Sequence, residues 1–127
     1  MAYCVKGQIL GFQETKTVEI SAIDELFATM KDTENENISF TLVTPYLLRE
    51  YVFDLPLDIK NLLEITEESK IGVYNILVIQ KPLEKSTINF LAPIVINYDN
   101  NSLAQALLDP KLHDDFGMAE TIESFKS

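Results

Sequence analysis

Few residues of this chain have the types and spacing that chemistry at a protein site requires. His113, the only histidine, is followed by Asp114 and Asp115, and an imidazole beside carboxylates could ligate a metal ion. Three adjacent residues do not have the ligand spacing of a zinc site, so a surface position is the better interpretation of this trio. We therefore predict no metal and no cofactor.

Catalysis by a nucleophile or by an acid–base pair finds equally little support. No serine stands in a recognisable arrangement with a histidine and a carboxylate, and the four glycines are scattered rather than grouped in a phosphate-binding loop. The 20 acidic residues allow many carboxylate pairs, but the sequence singles out none of them. We predict that the chain is not an enzyme. The alternative is an enzyme in which two carboxylates face each other in a cleft.

Charge is the clearest chemical property of this sequence. Acidic residues outnumber basic ones by 20 to 10, which gives a net charge of −10 at pH 7. Such a surface repels nucleic acids and anionic membranes and attracts basic proteins. Asp54, Glu64, Glu67 and Glu68 are the predicted acidic landing surface for a basic partner, although an ordinary solvated loop is the preferred interpretation of the three glutamates.

The sequence also predicts where the protein works. Cys4 is the only cysteine, so no disulfide can form within the chain. The N-terminus lacks the charged and apolar regions of a signal peptide, and no apolar run is long enough to cross a bilayer. These features predict a cytoplasmic protein that does not enter the membrane.

Periodicity of apolar residues predicts an all-β fold. Short stretches of alternating polar and apolar residues indicate strands, most clearly at 38–44, whereas 56–63 has the spacing of a short helix. Residues 24–31 fit either structure, and a strand is preferred. The pattern favours a mainly antiparallel barrel or sandwich with one or two short helices. We predict one β-barrel-like domain over 1–127, in which about 110–127 form a weakly ordered acidic tail.

The apolar run 88–97 is interrupted by Pro93. Proline has no amide N–H to donate, so it does not occupy the middle of a paired central strand. The run is therefore interpreted as two short strand pieces, or as an edge strand with a bulge at Pro93. Asn89 and Asn97 are predicted to bond the backbone groups that this break leaves free.

The connection after strand 38–44 contains the predicted protein-binding residues. Tyr46, Leu47 and Arg49 follow the strand-ending Pro45, and we predict that their side chains are exposed and contact a partner. Tyr51 and Phe53 alternate along the chain and share a face, which is interpreted as core in preference to interface.

Several motifs occur in the order found in one known family. The stretches 10–13, 38–46, 51–54, 89–97 and 105–108 carry these motifs. In this order they resemble elements of the flagellar assembly factor FliW family. Those elements are a Gly-Phe-Glu element, a hydrophobic strand that ends in proline and an aromatic residue, a Tyr-x-Phe element, the most specific signature and a glutamine-containing strand. Gln13 replaces the usual glutamate, and Arg49 and Glu50 stand where many members carry proline and aspartate.

This resemblance implies a compact antiparallel β-barrel and a regulatory role in a flagellated bacterium. Members bind flagellin before export and, when flagellin is scarce, sequester the basic RNA-binding regulator CsrA, which relieves repression of flagellin synthesis. We therefore expect a monomer with flagellin and CsrA as partners and without direct contact to nucleic acid. The alternative is a small barrel that binds an apolar ligand in its interior.

Overall fold

The computed structural model describes residues 1–125, which contain nine strands, one α-helix and three short 3-10 helices. The 3-10 helices are Pro45–Leu47, Leu83–Lys85 and Ile122–Phe125. The remaining elements are β1 (Ala2–Val5), β2 (Thr17–Ala22), β3 (Phe27–Asp32), β4 (Ser39–Val43), α1 (Leu57–Leu62), β5 (Ile71–Val78), β6 (Thr87–Ile88), β7 (Ile94–Asn97), β8 (Ser102–Gln105) and β9 (Glu120–Thr121).

Seven of these strands close into a barrel. The sheet runs in the order β4, β3, β2, β1, β8, β7 and β5, and β5 pairs again with β4 to complete the ring. Neighbouring strands are antiparallel except β1 and β8, which are parallel at Cys4–Ser102 and Val5–Leu103. The structure thus confirms the predicted all-β, barrel-like fold with a short helix and excludes the sandwich.

Alternation along the strands fills the interior with apolar side chains. Met30 of β3 and Leu42 of β4 are fully buried, as are Ile94 of β7 and Leu103 of β8. Because β3 buries every second residue, the ambiguous segment 24–31 contributes a strand, as predicted. Side chains of the barrel itself therefore occupy the space in which the alternative hypothesis placed an apolar ligand.

The break at Pro93 has the predicted two-piece form. β7 pairs with the first half of β5 and β6 with its last two residues, so both pieces lie along the same edge of β5. Residues 89–93 between them leave the sheet. Since Pro93 has no N–H, a continuous strand here would lose a ladder hydrogen bond in the centre of the sheet.

Hydrogen bonds from distant segments satisfy the backbone of the broken stretch. The Tyr51 hydroxyl donates to the Phe90 carbonyl, and the Phe90 N–H donates to the Gly117 carbonyl at 2.9 Å. The carbonyls of Asn89 and Leu91 accept from Asn75 Nδ2 at 3.0 Å and from the Leu108 N–H at 2.8 Å. The carbonyls of Ala92 and Pro93 accept from Gln105 Nε2 at 3.3 Å and from the Ala106 N–H at 2.9 Å.

The two asparagines of this stretch have different roles. Asn89 Oδ1 accepts the Leu91 N–H at 2.9 Å, which confirms the prediction for Asn89. For Asn97 the prediction is wrong, because its amide donates to the Leu63 carbonyl at 2.8 Å and its Oδ1 accepts the Asp99 N–H at 3.0 Å. Asn97 therefore anchors the end of α1 instead of the break.

The C-terminal segment packs against the barrel. The sequence predicted a weakly ordered acidic tail over 110–127, but Phe116 and Ile122 are buried in the core and β9 pairs with β6. The stretch contains four acidic residues, but its apolar residues provide the contact area that binds it. Residues 126 and 127 of the predicted tail lie outside the described residues.

We expect Tyr51→Phe to lower the free energy of unfolding by about 1–2 kcal/mol, because the Phe90 carbonyl loses its buried donor. Urea denaturation followed by circular dichroism measures this change. Tyr46→Phe is the matched control, since the Tyr46 hydroxyl has no hydrogen-bond partner among residues 1–125. Equal stabilities of the two variants would contradict the role of the Tyr51 hydroxyl.

A second buried polar group connects two hairpins. Asp32 Oδ1 accepts the N–H groups of Glu34 and Asn35 at 2.8 and 3.3 Å, and Oδ2 accepts the Thr15 hydroxyl at 3.0 Å. The Glu34 hydrogen bond is the main reason that the pKa of Asp32 lies below its ordinary value, and Thr15 and Asn35 add to the effect against an opposing contribution from burial.

A lowered folded-state pKa stabilises the fold at every pH above the ordinary value of 3.8, and this stabilisation is lost as the pH falls through the folded-state pKa. We expect the melting temperature of the wild type to exceed that of Asp32→Asn at pH 7 and the difference to shrink below about pH 4. Thermal melts of both proteins between pH 7 and pH 2 measure the difference. A difference that does not change with pH would contradict this assignment.

Candidate protein-binding surface

The chain between β4 and α1 crosses the outside of the barrel and presents several predicted site residues. Pro45 ends β4 and begins a 3-10 turn, because its ring fixes φ and its nitrogen cannot continue the strand ladder. The turn leaves the side chains of Tyr46 and Leu47 exposed, as expected from the sequence.

A groove with an apolar floor runs along this connection. We call it the Tyr46 groove; its volume is about 390 Å³. Tyr51 forms one wall, with its ring 6.3 Å from that of Tyr46 and 5.1 Å from that of Phe53 between centroids. The complete lining is Tyr46, Tyr51, Val52, Phe53, Asp54, Leu55, Lys60, Ile71 and Val73.

Two charged residues line the Tyr46 groove, one just before α1 and one within it. Asp54 lies just before the helix and Lys60 within it, so the groove carries one charge of each sign. The structure therefore brings together Tyr46 and Asp54, which the sequence assigned separately to exposed contacts and to the acidic surface.

The tyrosines of the groove are uncharged near neutral pH. Burial raises the pKa of Tyr51 to about 12, although the hydrogen bond from Asn75 counteracts part of this effect. Burial also raises the pKa of Tyr46. The aromatic wall consequently offers apolar contact and a hydroxyl group, not a base.

Leu47 lies in a separate depression of about 380 Å³. Its neighbours there come from the hairpin between β2 and β3. They are Asp24, Glu25, Leu26 and Phe27, so this depression is apolar on one side and acidic on the other.

Arg49 is not the exposed contact that the sequence predicted. Its side chain is only 17% exposed, and its guanidinium lies 5.2 Å from the ring centroid of Phe90 and 4.9 Å from that of Phe116. Nη2 is 3.2 Å from the Asp115 carboxylate and Nη1 is 3.3 Å from that of Glu120. Arg49 thus attaches the C-terminal segment to the barrel, a partnership between residues far apart in the chain.

The predicted acidic surface is divided by the fold. Glu64, Glu67 and Glu68 are exposed in the connection between α1 and β5, as expected, but they do not line the Tyr46 groove with Asp54. Glu64 has a left-handed backbone with φ of 56°, and Asn100 Nδ2 bonds to the adjacent Leu63 carbonyl at 3.0 Å. The three glutamates therefore form a separate charged edge.

Sequence reasoning missed two exposed apolar residues of the Tyr46 groove, Val52 and Ile71. Val52 is 74% exposed between the buried Tyr51 and the half-buried Phe53. Alternation in 51–54 would have placed Val52 outward, and an outward valine is the signal of a contact surface. Ile71 begins β5, and no local pattern in the sequence marked its exposure.

Comparison with known sequences decides the family. The family model described as FliW protein matches residues 2–122. The chain belongs to the FliW family. Flagellar assembly factor FliW 2 of Wolinella succinogenes is 45% identical over 125 residues, which cover 98% of this chain and 92% of that protein. Flagellar assembly factor FliW of Campylobacter lari is 43% identical over 122 residues, covering 95% and 93% respectively.

The FliW fold is likewise shared with a solved structure. A crystal structure of the flagellar assembly factor FliW superposes with a TM-score of 0.86 and covers 99% of this chain and 86% of its own, at 24% sequence identity. In this FliW-family chain the signature 89–97 corresponds to the whole break, residues 89–93, and to β7. Within the described residues 1–125, no helix is long and apolar enough to span a bilayer.

We expect Arg49→Met to lower the free energy of unfolding by about 2 kcal/mol, because the half-buried Glu120 loses its cation and two rings lose a guanidinium. Urea denaturation measures the change. Lys85→Met is the matched control: it removes the exposed ion pair to Glu123, which also joins the barrel to the C-terminal segment, and should leave the free energy of unfolding nearly unchanged because solvent screens this pair. Similar losses in both variants would contradict a special role of Arg49.

Proposed function

We propose that this protein is a non-enzymatic flagellar assembly factor. In this proposal it binds flagellin and, when flagellin is scarce, sequesters the translational repressor CsrA and so relieves repression of flagellin synthesis. The observation that carries the proposal is the match to the FliW family over residues 2–122, with relatives named flagellar assembly factors aligned over nearly the whole chain.

The Tyr46 groove supports a role in protein binding. Tyr46, Val52 and Ile71 expose apolar surface in one concave area, and aromatic residues in such positions provide much of the binding energy at protein interfaces. The rigid Tyr51 wall means that little side-chain freedom is lost when a partner docks. These properties suit the capture of an apolar segment of another protein.

The charge supports the choice of a basic partner in addition to flagellin. A net charge of −10 accelerates the encounter with a cationic protein, and the exposed edge at Glu64, Glu67 and Glu68 adds to that field. The same charge disfavours nucleic acids and anionic membranes, so we propose a cytoplasmic monomer that acts on proteins alone.

The proposal requires contact surfaces and no catalytic group. The ionisable side chains of the Tyr46 groove are one aspartate, one lysine and two tyrosines whose pKa values burial raises. The alternative, an apolar ligand inside the barrel, is disfavoured because residues such as Met30, Leu42 and Leu103 fill the interior.

Titration calorimetry of the purified protein with flagellin and with CsrA tests the proposal, and we expect both to bind. The double variant Tyr46→Ala/Val52→Ser should weaken at least one complex tenfold or more, about 1.4 kcal/mol, because it removes the exposed apolar contacts. Ile79→Ser, which alters an exposed apolar residue just beyond the other end of β5, should leave both affinities unchanged. Failure of the wild type to bind either protein would refute the proposal.

Salt separates the electrostatic part of the proposal from the rest. Raising the ionic strength from 0.1 to 1 M shortens the Debye length from about 10 to about 3 Å, so we expect CsrA to bind more weakly at high salt. Affinity that is independent of salt would contradict the role of the acidic surface while leaving binding itself established.

A further inference from the structure

The chain just after β8 has one edge without a partner strand. The N–H groups of Ala106 and Leu108 donate to the carbonyls of Pro93 and Leu91 at 2.9 and 2.8 Å. In such an alternating ladder the intervening Leu107 directs its N–H and C=O to the opposite edge. Within the part of the chain that the structure describes, nothing forms a hydrogen bond with these two groups, and Leu107 is 61% exposed.

A second groove lies beside this edge. We call it the Leu107 groove; its volume is about 470 Å³. Leu112 contributes an apolar side chain that is 77% exposed, and His113 is held in place by stacking on Phe116 and by a 3.0 Å hydrogen bond to the Asp109 carbonyl. The lining consists of Asp54, Leu55, Pro56, Leu107, Leu108, Asp109, Leu112 and His113.

Apart from His113, the ionisable side chains that line the Leu107 groove are acidic. The carboxylates of Asp54 and Asp109 line it, whereas the Tyr46 groove on the other side of Asp54 and Leu55 also contains a lysine. One carboxylate oxygen of Asp109 accepts the Lys111 N–H at 2.8 Å, so the group is fixed in position. This arrangement complements a segment that carries lysine or arginine next to apolar residues.

We propose that an extended segment of a basic protein docks at the Leu107 edge as an added strand. Its backbone would accept the Leu107 N–H and donate to the Leu107 carbonyl, its apolar side chains would pack on Leu55 and Leu112, and a cationic side chain would reach Asp54 or Asp109. This inference rests on the proposed function, because the basic member of the two proposed partners, CsrA, has the required charge.

An unpaired edge favours an extended occupant over a helical one. A helix satisfies its own backbone groups and would leave those of Leu107 without a partner, whereas an added strand bonds both of them. The two grooves share only Asp54 and Leu55, so most of the Tyr46 groove stays available for flagellin.

Proline at position 107 tests the backbone contact directly. Leu107→Pro removes the outward N–H and the side chain but leaves the internal hydrogen bonds of Ala106 and Leu108 in place. Leu107→Ala removes the side chain alone. By calorimetry with CsrA, we expect Leu107→Pro to weaken binding at least tenfold and at least threefold more than Leu107→Ala does, while flagellin binding stays within twofold of the wild type.

Hydrogen exchange on the wild type gives an answer even if the proline variant does not fold. We expect the Leu107 amide to exchange rapidly in the free protein and to become at least tenfold slower in the complex with CsrA. Unchanged exchange in that complex would overturn the inference, as would slower exchange of the Leu107 amide that appears with flagellin instead of CsrA. If the wild type binds neither protein, the proposed function fails and the inference with it; if CsrA binds and Leu107 is unaffected, only the inference fails.

Discussion

The missing N–H of Pro93 is the constraint around which much of this molecule is arranged. A strand that should run along β5 is divided into β6 and β7, and the intervening backbone needs hydrogen-bond partners away from the sheet. Those partners come from segments far apart in sequence: Tyr51 before α1, Asn75 in β5 and Gly117 near the C-terminus. A local defect in the ladder thereby joins the barrel, the crossing connection and the C-terminal segment into one structure.

The same set of contacts shapes the surface of the protein. Tyr51 is held by its bond to the Phe90 carbonyl, so its neighbour Val52 must point outward into the Tyr46 groove. Arg49 lies across Phe90 and Phe116 and connects them to the carboxylates of the C-terminal segment. The proposed binding surface therefore lies on a rigid support, which would reduce the entropy lost when a partner docks.

Membership of the FliW family and the geometry of its two grooves are the basis of the proposal that this protein works by binding other proteins. The Tyr46 groove has mixed charge and an aromatic wall, whereas the Leu107 groove has acidic rims and an unpaired strand edge. In the proposed function, these two neighbouring grooves of different character would let one small barrel discriminate between an apolar partner and a cationic one.

The sequence by itself determined strands of the barrel such as β3 and β4, the short helix and the division at Pro93, because side-chain periodicity and the lack of a proline donor act between near neighbours. It also indicated Tyr46 as an exposed aromatic residue and the acidic character of the surface. Only the tertiary structure decided that Arg49 is an internal anchor, that Asn97 serves α1, and that the segment after residue 110 packs on the core. Each of these outcomes depends on a partner that is remote in the chain, and no local pattern in one sequence specifies which remote segments meet.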